Sequence, residues 1–105
     1  MANAFKNYIA ASVTTQTSVY TTPSATQTTV IGLSLANTTA GVATVDIQIT
    51  SGATTIYLVK GAPIPVGSSL VPIGGDQKLV LEAADVLKVT SDVTVDVSVS
   101  VLEIS

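Results

Sequence analysis

Hydrophobic and polar residues alternate one by one along most of this chain, the period of a β-strand with one buried face. The clearest run is Val93 to Val101, where five valines hold the odd positions and Thr94, Asp96, Ser98 and Ser100 the even ones. Leu102 then breaks the parity, which predicts a β-bulge or the end of the strand there. Earlier, Ile31, Leu33 and Leu35 alternate with Gly32, Ser34 and Ala36, and Val45, Ile47 and Ile49 alternate with Asp46, Gln48 and Thr50. The stretch Asn37–Gly41 predicts a hairpin loop between these two runs, and Ser51-Gly52 predicts the next turn. Ile56–Val59 is apolar at every position and predicts a strand covered on both faces. Two prolines and two glycines within Gly61–Gly67 predict an irregular segment. Val80 with its neighbours and Val86–Thr90 predict two further strands.

The first third of the chain is less regular. Residues 1–13 carry Phe5, Tyr8 and Ile9 among Lys6 and two asparagines, Asn3 and Asn7. They predict an N-terminal arm or an edge strand, with residues 14–105 forming a single sandwich domain. A Thr/Ser/Gln tract follows, with a short edge strand near Ser18–Thr22 and Pro23 as its breaker. Turn signals every eight to twelve residues, with no helical period, predict an all-β fold. The expected architecture is a small antiparallel β-sandwich, immunoglobulin-like or jelly-roll-like, of about seven or eight strands.

Composition agrees with that class. Thr and Val supply 16 residues each of the 105, and both are β-branched, stiff at χ1 and suited to a pleated surface. Only four lysines and seven acids carry charge, and arginine is missing. A net charge of −3 without clustered cations argues against nucleic acid and against anionic membrane surfaces as partners. No run reaches the roughly 18 apolar residues of a membrane-spanning helix. The opening MANAFKNYIAASV is broken by Lys6 and Asn7, so a secretory signal is not expected, and assembly in a cytoplasm is.

The absence of histidine and cysteine removes Ser-His-Asp, Cys-His and thiolate chemistry, together with zinc sites built from those ligands. Glu82 and Asp85 have the makings of a carboxylate pair, but three residues apart around a turn they are expected to be turn residues. Asp46, Asp92 and Asp96 are oxygen donors of the kind calcium takes. On one strand, however, Asp92 and Asp96 stand about 13 Å apart. No catalytic residue, metal site or cofactor is expected, and the protein is expected not to be an enzyme.

The stretch VPIGGDQKLVLEAADVLKV (71–89) looks most like a binding loop. A phosphate loop needs G-x-x-x-x-G-K-[ST] opening a helix, whereas Gly74-Gly75-Asp76-Gln77 leads into the strand-like Lys78-Leu-Val-Leu. Asp76 would also repel phosphate. The better reading is two turns, at Gly74–Gln77 and Glu82–Asp85, flanking a short strand. Gly74, Gly75, Asp76 and Gln77 remain candidates for contact with a protein partner, as do Phe5, Tyr8 and Ile9.

VIGLSLANTT (30–39), YLVKGAPIPVGSSLVPIGGDQKLVLEAADVLKVTS (57–91) and VSVLEIS (99–105) together resemble small virion structural proteins of tailed bacteriophages, particularly cyanophages and other marine phages. The pattern in such proteins has glycine where Ala84 stands here. The resemblance implies a non-enzymatic capsid decoration (cement) protein bridging major capsid subunits, or else a neck, collar or tail accessory protein. A homo-oligomer is implied, with a trimer favoured at a three-fold position. From another class, a receptor- or glycan-binding module is the competing reading, with few aromatic rings to support it.

Overall fold

The alternating runs fold into strands whose aliphatic side chains meet between two sheets. The structure, a computed structural model, describes residues 3–73 and 78–105. Among these, nine strands follow one another: β1 (Asn3–Val13), β2 (Thr17–Thr21), β3 (Gln27–Asn37), β4 (Ala43–Ser51), β5 (Thr54–Ile64), β6 (Ser69–Ile73), β7 (Leu79–Leu81), β8 (Val86–Ser91) and β9 (Val95–Ile104). One sheet has the order β1-β9-β3-β6, with β7 also on β3, and the other has the order β2-β8-β4-β5. The pairings are antiparallel. Strands β6 and β7 use successive stretches of the same edge of β3, at Leu33–Ala36 and Thr28–Val30, and so occupy one sheet position between them.

The chain changes sheets at almost every connection; only β4–β5 and β6–β7 stay within one. That alternation gives two interlocked Greek keys, the jelly-roll form of the β-sandwich. Val30, Leu33, Leu35, Val97, Val99 and Val101 of the first sheet pack against Val45, Ile47, Leu87 and Val89 of the second, all essentially inaccessible to water. Each contributes about 1.5–3 kcal/mol of transfer free energy, which drives the two inner faces together.

Four local expectations are corrected. Asn37–Gly41 is not a hairpin loop, because β3 and β4 lie in different sheets. Asn37 is buried and ties the crossover instead: Nδ2 donates to the carbonyls of Gly41 (2.8 Å) and Ile64 (2.9 Å), while Oδ1 accepts from the Thr39 amide and hydroxyl. Gly61–Gly67 is not wholly irregular, since β5 continues to Ile64. β5 is the edge of its sheet, so Pro63 withholds no ladder hydrogen bond that a second neighbour would need. Gly61, at φ +66, takes a bulge opposite Val45–Ile47, where Asp46 Oδ1 accepts its N–H at 2.7 Å.

For the same reason, Ile56–Val59 is not covered on both faces: Ile56 and Tyr57 lie about half exposed on that edge. Nor does β9 end or bulge at Leu102. It runs unbroken in register with β1 through Ile104, and the irregularity falls on β3, between Val30 and Gly32. What changes after Val101 is the chemistry of the inward position, where Glu103 takes the place of another valine.

Candidate interaction face

β1 is the edge of the first sheet, and its alternation splits its side chains between two environments. Phe5, Asn7 and Ile9 point outward, with Phe5 76% and Ile9 78% exposed. Register carries this outer face across the sheet. Phe5 stands opposite Leu102, Leu102 opposite Thr29, and Thr29 opposite Val80, which is 65% exposed. The next rows are small: Asn7, Ser100 and Gly32, then Ile9, Ser98 and Ser34. Beside Ile9, on the side away from Phe5, lies a shallow depression of about 300 Å³, lined by Ile9, Ala11, Ser34, Ala36, Asp96 and Ser98. Among the described outward-facing residues of β1, β9 and β3, Asp96 is the one charged side chain, and its Oδ1 accepts the Ser12 N–H at 3.0 Å.

The outer face of the other sheet is different. Gln48 stands opposite Lys88 and Asp46 opposite Thr90, while Thr50 and Thr55 share a hydroxyl hydrogen bond of 2.9 Å. Gln16 Nε2 donates to Gln48 Oε1, and Lys60 Nζ lies 4.5 Å from the centroid of the Tyr57 ring. One face is therefore a solvated lawn of amides, hydroxyls and ions. The other is low in charge and apolar at its margins.

Tyr8, although predicted alongside Phe5 and Ile9, is on the inner side of β1. Its ring meets Tyr20 edge-on at 4.8 Å and 63°, and its hydroxyl donates to Glu103 Oε2 at 2.9 Å. The Tyr20 hydroxyl donates to the same oxygen at 2.7 Å and shares a hydrogen bond with Thr28 Oγ1. Lys6 Nζ completes the cluster, 3.2 Å from Glu103 Oε1. Glu103 is only 6% exposed, yet the Tyr20 hydroxyl, with help from Tyr8 and Lys6, holds its carboxyl below the usual carboxylate range against the opposing effect of burial. Burial pushes both tyrosine hydroxyls above their ordinary range, Tyr20 far above it. Hydrogen bonding to Glu103 raises Lys6. The cluster fastens β1 and β2 to β9. Both carboxylate oxygens are engaged, so the arrangement is a structural tie.

Sequence reasoning missed Glu103. The available signal was its parity: it continues the inward series Val95, Val97, Val99 and Val101, and a buried charge requires partners.

The remaining carboxylates with described contacts are dispersed and hold backbone. Asp46 binds the Gly61 amide, Asp96 that of Ser12, and Asp92 that of Thr44 at 2.7 Å. Asp85 is buried, and its Oδ2 accepts the Glu82 N–H at 2.9 Å across the β7–β8 turn, while Glu82 itself faces solvent. Gly74, Gly75, Asp76 and Gln77 lie outside the described residues.

No family model matches the chain, and no curated protein matches it. Among solved structures it is similar to a pentameric capsid protein isolated from metagenomic phage sequences, with 23% identity and a TM-score of 0.44 over 90% of this chain and 59% of that one. A second structure of a pentameric capsid protein from metagenomic phage sequences, solved by iodide phasing, gives 21% identity and a TM-score of 0.47 over 90% of this chain and 66% of that one. The chain thus spans less than two thirds of the length of either.

Proposed function

We propose that this chain is a non-enzymatic structural protein of a bacteriophage virion: a capsid decoration (cement) protein that docks onto neighbouring major capsid subunits through the outer face of its β1-β9-β3 sheet. The observation that carries the reading is the asymmetry between the two sheets. One outer face is covered mainly by amides, hydroxyls and ions, and the other presents Phe5, Ile9, Leu102 and Val80 around small residues, with Asp96 the one charge in the outward rows of β1, β9 and β3. Interface cores are depleted in charge and anchored by aromatic and aliphatic side chains, which is the character of this face. The resemblance of residues 30–39, 57–91 and 99–105 to small tailed-phage virion proteins points the same way. Jelly rolls serve viral capsids, lectins and cupins alike, so the architecture supports the reading without selecting it.

The glycan-binding alternative fares less well on geometry. Tyr57 is a half-exposed ring, but the Lys60 ammonium already occupies the ring face on which a sugar would stack. A neck or tail accessory role uses the same docking face on a different neighbour. Quantifying the protein against the major capsid protein in purified particles separates the two. Abundance on the scale of the capsid lattice supports decoration; a trace amount per particle supports the neck or tail, and absence from particles overturns both.

A further inference from the structure

We infer that β1 is a self-complementary edge through which two copies of this chain join antiparallel about a two-fold axis at Asn7, extending the first sheet across both. The inference rests on the homo-oligomer that the resemblance implies, not on the particle, and purified protein alone tests it.

Among the described residues β1 has a single ladder partner, β9, so its other edge offers an open row of backbone donors and acceptors. Such an edge is a template for another strand unless something blunts it. The usual blunting devices are a bulge, a proline or a charged side chain, lysine above all. β1 has its bulge only after Ala10, where the register with β9 shifts between Ala10 and Val13. Asn3 to Ala10 is regular and free of proline. Its one charged residue, Lys6, is already paired with Glu103 at 3.2 Å, so two such edges meet without opposed bare cations.

The sequence also fixes the register. Phe5 and Ile9 lie two residues on either side of Asn7, and all three are exposed on the same face. An antiparallel partner with Asn7 opposite Asn7 places Phe5 against Ile9 of the second copy, and Ile9 against its Phe5. Aromatic–aliphatic cross-strand pairs of this kind contribute to sheet stability, and shifting the register by two residues would lose both. The contact is isologous, as a two-fold requires. The pair sets Phe5 and Ile9 of the two copies side by side on one continuous outer face, so the docking surfaces of both copies lie on the same side of the extended sheet.

The contact is small. Seven paired residues make a strip about 23 Å long and about 10 Å wide, on the order of 500 Å² over both copies, well under the roughly 1,200 Å² of a stable interface. The pair is therefore weak in dilute solution and strengthens when copies are held close together, as on a lattice.

The chain has no cysteine, which makes the register directly readable. In purified protein under mild oxidation, Asn7→Cys should form disulfide-linked dimers, since directly opposed residues fall within disulfide reach. Phe5→Cys and Ile9→Cys should cross-link rapidly when mixed and slowly when alone, and Ala11→Cys should cross-link slowly alone. All four positions are exposed, so the fold should tolerate these changes, which circular dichroism checks. Asn7→Cys cross-linking at least tenfold faster than Ala11→Cys supports the edge pair. Equal rates, or Phe5→Cys and Ile9→Cys each linking to itself as fast as to the other, overturn it whatever the protein does on particles.

Discussion

The Tyr20 hydroxyl of β2 donates to the Glu103 carboxylate of β9 at 2.7 Å, joining the two sheets through a buried polar contact at one end of the sandwich. Glu103 also receives Tyr8 and Lys6 from the edge strand, so one carboxylate fastens both peripheral strands to the central one. Removing it strands the Tyr8 hydroxyl and leaves Tyr20 with Thr28 alone. Leaving buried donors unsatisfied costs about 1–3 kcal/mol. Glu103→Ala should therefore lower stability by about 2–3 kcal/mol and the melting temperature by roughly 10 °C or more for a domain of this size. Tyr20→Phe should lose about 1 kcal/mol, and chemical denaturation of the double variant should show coupling. Additive losses would mean that the hydrogen bond adds little.

The same cluster sets a pH dependence with a definite sign. The Glu103 pKa is lowered in the folded state, so its contribution is complete above the ordinary value of 4.5 and is lost as pH falls through the lower folded value. Lys6 and Tyr8 are raised, so their contributions are complete below about 10 and are lost as pH rises through the folded values, which lie above the ordinary 10.5 and 10.0. Urea midpoints should be flat near neutrality and fall in both acid and strong alkali. Glu103→Gln should flatten the acid limb; an unchanged acid limb would show that Glu103 does not set it.

The β7–β8 turn holds a strained residue. Ala84 sits at φ 70, where an L-residue costs roughly 1–2 kcal/mol, and the flanking bonds from Ala84 N–H to Thr22 O and Asp85 N–H to Glu82 O keep it there. Glycine removes the strain but adds unfolded-state entropy of about 0.5–1 kcal/mol. Ala84→Gly should stabilise by about 0.5 kcal/mol, seen as a rise of a few degrees in melting temperature. A fall would count against the left-handed geometry at Ala84.

At the β5 bulge the sign reverses. Gly61 has open space around its Cα, so Gly61→Ala meets no clash and pays only for φ +66, about 1 kcal/mol or slightly more. Gly41→Ala, equally open and without a left-handed φ, is the control and should be neutral or slightly stabilising. Equal effects would mean that the bulge relaxes to accept a side chain.

These cases also mark what the sequence could and could not reveal. Valines on every second residue of β9 made its inner face plain, because a strand's period is local. Leu102 broke the reading: an apolar residue out of parity, followed by a carboxylate in the core position, looks like a strand end until Tyr8, Tyr20 and Lys6, distant in sequence, are brought beside Glu103. Asn37–Gly41 looks like a hairpin because turn chemistry reports a reversal of the chain, not the sheet to which the next strand belongs. Pro63 reads as a breaker until its strand is known to be an edge. On the outer face, Phe5 and Ile9 were visible as an apolar excess in a polar segment. Their alignment with Leu102 and Val80 depends on register between strands far apart in the chain, which no local pattern carries.

That alignment leads to the most direct test of the docking face. Phe5 and Ile9 are more than three-quarters exposed, so Phe5→Ser with Ile9→Ser should leave the melting temperature within a few degrees of the parent. If both side chains are buried against a capsid subunit, each contributes about 1.5–3 kcal/mol, and even partial burial predicts at least a tenfold loss of binding to particles stripped of this protein. Ile56→Ser with Tyr57→Ser removes comparable apolar surface from the edge of the opposite sheet and should bind as the parent does. Substitution is a sharper tool here than deleting residues 1–13, because β1 also supplies Lys6 and Tyr8 to the Glu103 tie and its loss would confound docking with folding. Loss of binding in the first pair alone supports docking through the β1-β9-β3 face. Loss in the second pair alone would move the contact to the other sheet, and retention in both would leave Phe5 and Ile9 with no part in docking.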